Sequence, residues 1–182
     1  MTLDEYVMIN APFYPRFSKD VLVNCLQNFE LPLSLRLDQL SMGQKKKVYM
    51  SFALAANTKY LLMDEPTNGL DIPSKSQFRK VVASNMSEDR TIIISTHQVH
   101  DVEQLLDHVL IVGTDKIMFN ASTADIADNY VFETRCQGED TTDVIYSEYG
   151  VQGTQVIAKR GDKEETPINL EMLFNAVVEG KL

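Results

Sequence analysis

Two adjacent carboxylates, Asp64 and Glu65, close the apolar run YLLMD and lead into PTNGLD. In the plainest reading they end a strand and open the turn at Pro66. An apolar strand ending in Asp-Glu is also what nucleotide hydrolysis requires. One carboxylate holds magnesium, usually through water, and the next orients or deprotonates the attacking water. Two like charges side by side are expected to raise one pKa, which suits a base. The turn TNGLD, with Asn68, Gly69, Leu70 and Asp71, needs a permissive backbone at its glycine.

Two further stretches carry donors. LSMGQ, residues 40–44, stands immediately before an alanine-rich stretch. Ser41 is a natural helix N-cap there. The same helix start offers free amides and a positive dipole end to a phosphate, with Ser41 adding a hydroxyl, Gly43 letting backbone approach and Gln44 adding an amide. STH, residues 95–97, ends a second β-branched run, and His97 there is either a satisfied strand-end residue or a proton-handling one. His100 and His108 have no partners at metal-ligand spacing and read as structural or surface residues.

These residues need elements to hold them. Thr2 and Glu5 fit a capping box for a first helix. APFYP breaks the chain, and Ser18 caps a second helix with Leu22, Cys25, Leu26 and Phe29 on one face. A third helix is predicted from about Ser41 through residue 57. YLLMD (60–64) and TIIIST (91–96) read as strands buried on both faces, separated by a helix over 74–86. VHDVEQLLD (99–107) is expected to be helical, and HVLIVGTDKIMF (108–119) to form two strands. Beyond about 121 come three short strands, with turns at Gly138, Gly150 and Gly161. A final helix follows, with Leu170, Leu173, Phe174 and Val177 on one face. The expected organisation is a helical subdomain over 1–57, an α/β layer with a parallel sheet over 58–120, and an α+β extension over 121–182.

The 182 residues are long enough to bury a core, and 44% hydrophobic with 24% charged residues is ordinary for a globular chain. A net charge of −9 argues against non-specific grip on nucleic acid or an anionic membrane surface, and Lys45-Lys46-Lys47 is too short to reverse it. Cys25 and Cys136 stand outside any CxxC spacing, read as buried apolar fillers and suit a reducing compartment. Neither a signal peptide nor a membrane span is expected.

LSMGQ, a helix, YLLMDEPTNGLD, a helix, then TIIISTH: in this order and spacing the sequence resembles the ATPase domain of ATP-binding cassette (ABC) proteins over roughly residues 1–120. The resemblance implies a P-loop NTPase core, ATP and magnesium as cofactors, and an ATPase subunit that couples hydrolysis to transport. It implies that Ser41, Gly43 and Gln44 form the signature motif, which contacts the γ-phosphate of ATP held by an opposing ATPase subunit. Met42 departs from the glycine usual there. By the same resemblance Asp64 is the Walker B aspartate and magnesium ligand, Glu65 the catalytic glutamate, and Asn68, Gly69, Leu70 and Asp71 the D-loop at the dimer interface. His97 is the switch histidine. Residues 1–40 resemble the helical subdomain that meets a transmembrane permease, so the implied place is cytoplasmic, on the inner face of the cell membrane.

The companion phosphate loop, G-x-x-x-x-G-K-[ST], is missing. The eight glycines stand at 43, 69, 113, 138, 150, 153, 161 and 180, and only Gly180 precedes a lysine, one residue before Leu182. The sequence therefore reads as the C-terminal part of such an ATPase. It is expected to be inactive alone and to expose apolar faces where the phosphate-loop strand would lie. Two other readings stand beside it: a non-catalytic truncated cassette acting as an interaction or regulatory module, and a non-transport ABC ATPase.

Overall fold

The computed structural model describes residues 1–136, 139–151 and 153–182, in two compact units, Met1–Leu105 and Leu106–Leu182. The expected turn at Gly138 lies outside the described residues.

The first unit begins with α1 (Leu3–Asn10), opened by the capping box in which Thr2 and Glu5 exchange backbone and side-chain bonds. A 3₁₀ turn at Ala11–Phe13 carries the chain past its prolines to α2 (Lys19–Asn28), where the Ser18 hydroxyl accepts from the Val21 amide. Leu22, Cys25, Leu26 and Phe29 form its buried face. They pack with Val48, Phe52 and Leu54 of α3 (Met42–Ala55) and with Phe78, Val81 and Val82 of α4 (Ile72–Ala83). Tyr6 meets the edge of Phe52 with ring centroids 5.1 Å apart, seating α1 on α3. The buried Arg90 guanidinium reaches the carbonyls of Ala53 and Asn85, near the carboxyl ends of α3 and α4, where helix dipoles favour a cation.

β1 (Tyr60–Asp64) and β2 (Thr91–Ser95) pair in parallel, in a register running from Tyr60–Thr91 to Asp64–Ser95. They are not buried on both faces as the apolar runs suggest. Met63 is buried, whereas Leu62 is 72% and Ile93 50% exposed. The physical reason is sheet size. Only two strands hydrogen-bond here, so one side packs on the core and the other is open. By strand parity Asp64 and Ser95 lie on the open side with Leu62 and Ile93. Residues 99–107 form two short 3₁₀ turns, Val99–Asp101 and Glu103–Leu105, instead of a continuous helix.

The second unit starts with the antiparallel pair β3 (His108–Val112) and β4 (Ile117–Ser122), which sequence grouping had placed with the α/β layer. A helix not foreseen, α5 (Thr123–Asn129), follows, capped by the Ser122 hydroxyl. β5 (Tyr130–Arg135), β6 (Val144–Gly150) and β7 (Gly153–Lys159) make an antiparallel sheet in the order β5-β7-β6. Tyr146 and Ile157 of this sheet pack against Met172 and Ala176 of α6 (Leu170–Val178). Leu170, Leu173 and Val177 are buried as expected, but Phe174 is half exposed. Cys25 is buried and Cys136 is exposed, which corrects the reading of both as core fillers. Among the described residues no helix is long and apolar enough to cross a membrane.

Candidate active site

The parallel register brings the chemistry together. Asp64 ends β1 opposite Ser95, whose hydroxyl donates to Asp64 Oδ1 at 2.5 Å. One residue on, the Glu65 amide donates to the Ser95 carbonyl at 2.8 Å, so β1 extends its pairing into the turn. Glu65 then takes a positive φ of 44°, a left-handed backbone that costs a non-glycine residue about 1–2 kcal/mol. A glycine would sit there at less cost, so the position is explained by what the side chain does.

The Glu65 side chain is held by three donors from the segment after β2. Thr96 Oγ1 donates to Oε2 at 3.0 Å, and the His97 amide donates to Oε1 at 3.0 Å. His97 Nδ1 lies 2.6 Å from the same Oε1. The His97 side-chain contact, then Thr96 and the His97 amide, hold the carboxyl below its ordinary pKa against the opposing effect of desolvation. At Glu65 the shift thus runs opposite to the rise expected of one carboxylate in the pair. Hydrogen bonds to the ionised form outweigh the cost of its desolvation.

The other expected residues lie at the start of α3 and in the turn after β1. Ser41 caps α3: its hydroxyl accepts from the Gln44 amide at 3.2 Å, while Gln44 Oε1 accepts from the Ser41 amide at 3.0 Å. The plain capping reading is thus realised, with Ser41 and Gln44 exposed at the helix start. A Cβ placed on Gly43 meets nothing within 4 Å, so packing inside this chain does not call for a glycine there. Asn68 and Gly69 are exposed in the turn after Glu65, where Gly69 has φ 77°. Leu70 is buried, and Asp71 caps α4 by accepting from the Ser74 amide at 2.9 Å. Those bonds to Ser74 lower the Asp71 pKa.

Lys46 belongs to the site and was read only as part of a basic run. Its ammonium donates to the carbonyls of Glu65, at 2.7 Å, and Asn68, at 2.8 Å. Burial lowers its pKa, opposed by the charges of Glu65 and Asp64. Thr96 was likewise missed. Only parity marks it, since it stands one residue past the strand end that pairs with Asp64.

As a cation site this is a partial donor set. Asp64 offers an exposed hard oxygen suited to magnesium, but no group of three His, Cys, Asp or Glu residues able to hold a metal occurs among the described residues. Such an ion fits only if phosphate oxygens and water complete its shell.

Comparison with known proteins finds relatives among ABC transporter ATP-binding proteins. A family profile described as an AAA domain, putative AbiEii toxin, Type IV TA system, matches residues 26–100. The chain is 24% identical over 204 residues to the ABC transporter ATP-binding protein YtrB of Bacillus subtilis, covering 99% of this chain and 69% of that protein. Matches to further curated relatives, among them the ABC transporter ATP-binding protein NatA of Bacillus subtilis, are shorter and span between 27% and 45% of those proteins' own lengths. Among solved structures, a putative cobalt transport ATP-binding protein (cbiO-2) superposes with TM-score 0.61 at 17% identity, over 100% of this chain and 67% of that one. The dimeric bacterial ABC transporter cassette MJ0796 superposes with TM-score 0.55 at 22% identity, over 67% of this chain and 56% of that one. At these identities the superpositions establish the fold, that of the P-loop NTPase cassettes.

Proposed function

We propose that this chain is an ATP-binding subunit of the ATP-binding cassette family and supplies the hydrolytic carboxylates of a transporter ATPase. The observation that carries the reading is the convergence of Asp64, Glu65, Thr96 and His97 at the carboxyl ends of parallel β1 and β2. That is where ligands of open α/β sheets bind. In this reading Asp64 holds Mg2+, which neutralises phosphate charge when bound. Glu65 orients the attacking water and accepts its proton. The lowered pKa leaves Glu65 ionised at neutral pH, which suits orienting the water, and makes it a weaker proton acceptor than an ordinary carboxylate. His97 holds Glu65 and senses the γ-phosphate of ATP.

Ser41, Gly43 and Gln44 face the nucleotide of a second ATPase subunit, and Asn68, Gly69, Leu70 and Asp71 line the contact between subunits. The open helix start supports the first role: Gly43 leaves room for an approaching phosphate. The exposed Met8, Ile9 and Phe13, on α1 and the turn after it, support docking against a permease at the membrane's inner face.

These 182 residues contain no G-x-x-x-x-G-K-[ST] stretch, so the phosphates need a cradle supplied from elsewhere, and the chain alone does not turn ATP over. Phosphate release is the test. The chain by itself should give no more than its Glu65→Gln variant. Completed by a loop-bearing segment that cradles the nucleotide at Glu65, it should turn over ATP, and Glu65→Gln should stop that. Glu65-dependent release from the chain alone sinks the inactivity claim, and unchanged release in the assembled variant sinks the base assignment.

A second reading rests on the same exposed helix start. A chain with a signature face and no phosphate loop can complete or block the site of an intact homologue. Titrating it into such an ATPase and following the rate separates the two readings.

A further inference from the structure

The three consecutive lysines of α3 are not equivalent. Lys47 donates to Gln77 Oε1 at 3.0 Å and lies over the Phe29 ring, 5.7 Å from its centroid, so it belongs to the helical core. Lys46 turns to the β1 end and donates to the carbonyls of Glu65 and Asn68 at 2.7 and 2.8 Å. The Glu65 carbonyl also accepts the Asn68 amide at 3.3 Å, so one ammonium closes the turn from both ends. Glu65 has the left-handed φ of 44°, a conformation that persists only where its surroundings over-determine it. The Glu65 amide is held by Ser95, and its carboxylate by Thr96 and His97. Lys46 holds what remains, the carbonyl.

We propose that Lys46 is a positioning residue that fixes the Glu65 turn and ties it mechanically to the Ser41–Gln44 start of α3. Lys46 stands two residues beyond Gln44, within the first turns of one capped helix. A small displacement of that helix start therefore carries the ammonium with it. The ammonium in turn rotates the Glu65 peptide and re-aims the carboxylate. In the functional reading above, on which this coupling rests, the helix start answers to one nucleotide and Glu65 to the other. Lys46 would then connect the two ATP sites through a single side chain.

The test is made on the full chain by nuclear magnetic resonance, without nucleotide. The His97 amide donates to Glu65 Oε1 and so reports the carboxylate's position; Glu65→Gln supplies the reference displacement. Lys46→Met keeps the aliphatic stem and removes the donors. It should displace the His97 amide resonance and speed amide exchange at Asn68 and Leu70 by about tenfold, the effect of losing one turn-closing contact. Exchange in the buried α2–α3 core should stay within about twofold. Lys46→Arg, which keeps donors and charge, should restore most of the native pattern. If Lys46→Met does not fold, Lys46→Gln must move the same amides.

An unmoved His97 amide overturns the proposal, as does uniform acceleration through the whole unit, which would make Lys46 a general stabiliser. Because no turnover is measured, the result stands apart from the functional reading, whose own failure is an assembled Glu65→Gln enzyme that still hydrolyses ATP.

Discussion

His97 Nδ1 lies 2.6 Å from Oε1 of Glu65, and the His97 backbone amide donates to that same oxygen. One residue thus grips one carboxylate oxygen twice, across 32 positions of sequence. In the assembled ATPase, removing the carboxylate's charge in Glu65→Gln should lower kcat by about 10²–10⁴ while ATP binding persists. His97→Ala keeps the base but loses its aim, and should lower kcat with little change in KM. Phosphate release and equilibrium nucleotide binding check both.

The second unit should be acid-sensitive. Arg135 forks onto Asp143 at 2.7 and 2.8 Å, and Lys163 reaches Glu133 at 2.9 Å and Asp143 at 2.7 Å. Arg135 and then Lys163 depress the Asp143 pKa; Lys163 and then Arg135 depress that of Glu133. A depressed carboxyl contributes its stability above its unfolded pKa, about 4 for these groups, and loses it as pH falls through the lower folded value. Thermal melts followed by circular dichroism should therefore show a falling midpoint below about pH 4. Asp143→Asn should lower the neutral-pH midpoint and flatten that dependence; an equally steep acid limb in the variant would count against the cluster.

Thr67 offers a stabilising change beside the site. It is wholly buried, and its Oγ1 has no hydrogen-bond partner among the described residues. Thr67→Val keeps the shape and removes the desolvated hydroxyl, which should raise unfolding stability by about 1 kcal/mol. Urea unfolding measures this, and a loss of stability would mean the hydroxyl is satisfied in solution.

The open side of β1 and β2 should make the isolated chain self-associate. Leu62 and Ile93 pair across the strands on the exposed side, with Tyr60 60% exposed beside them. Leu62→Ser with Ile93→Thr should lower the light-scattering mass at a given concentration and leave the melting midpoint nearly unchanged. A native chain that stays monomeric at high concentration would remove the ground for this expectation.

Local chemistry is what the sequence displayed well. The caps at Thr2, Ser18 and Ser41 all rest on residues within four positions of one another. What escaped depends on distance through space. The lowered Glu65 pKa comes from donors 31 and 32 residues away, and the Lys46 tie spans 19. Neither has a periodic signature. The seven-residue α5 is too short for an apolar repeat, and only its Ser122 cap announces it. The half-open strands misled because a continuous apolar run gives no sign of how many neighbours a sheet will have.

Gly43 permits a separation that few positions allow. Since an added methyl there meets nothing among the described residues within 4 Å, Gly43→Ala should fold, express and melt no lower than the parent. Any defect it shows in the assembled machine then belongs to the incoming phosphate or the opposing subunit. An allele at this residue is silent in the solitary polypeptide and becomes visible only in company, which makes it a genetic reporter of assembly.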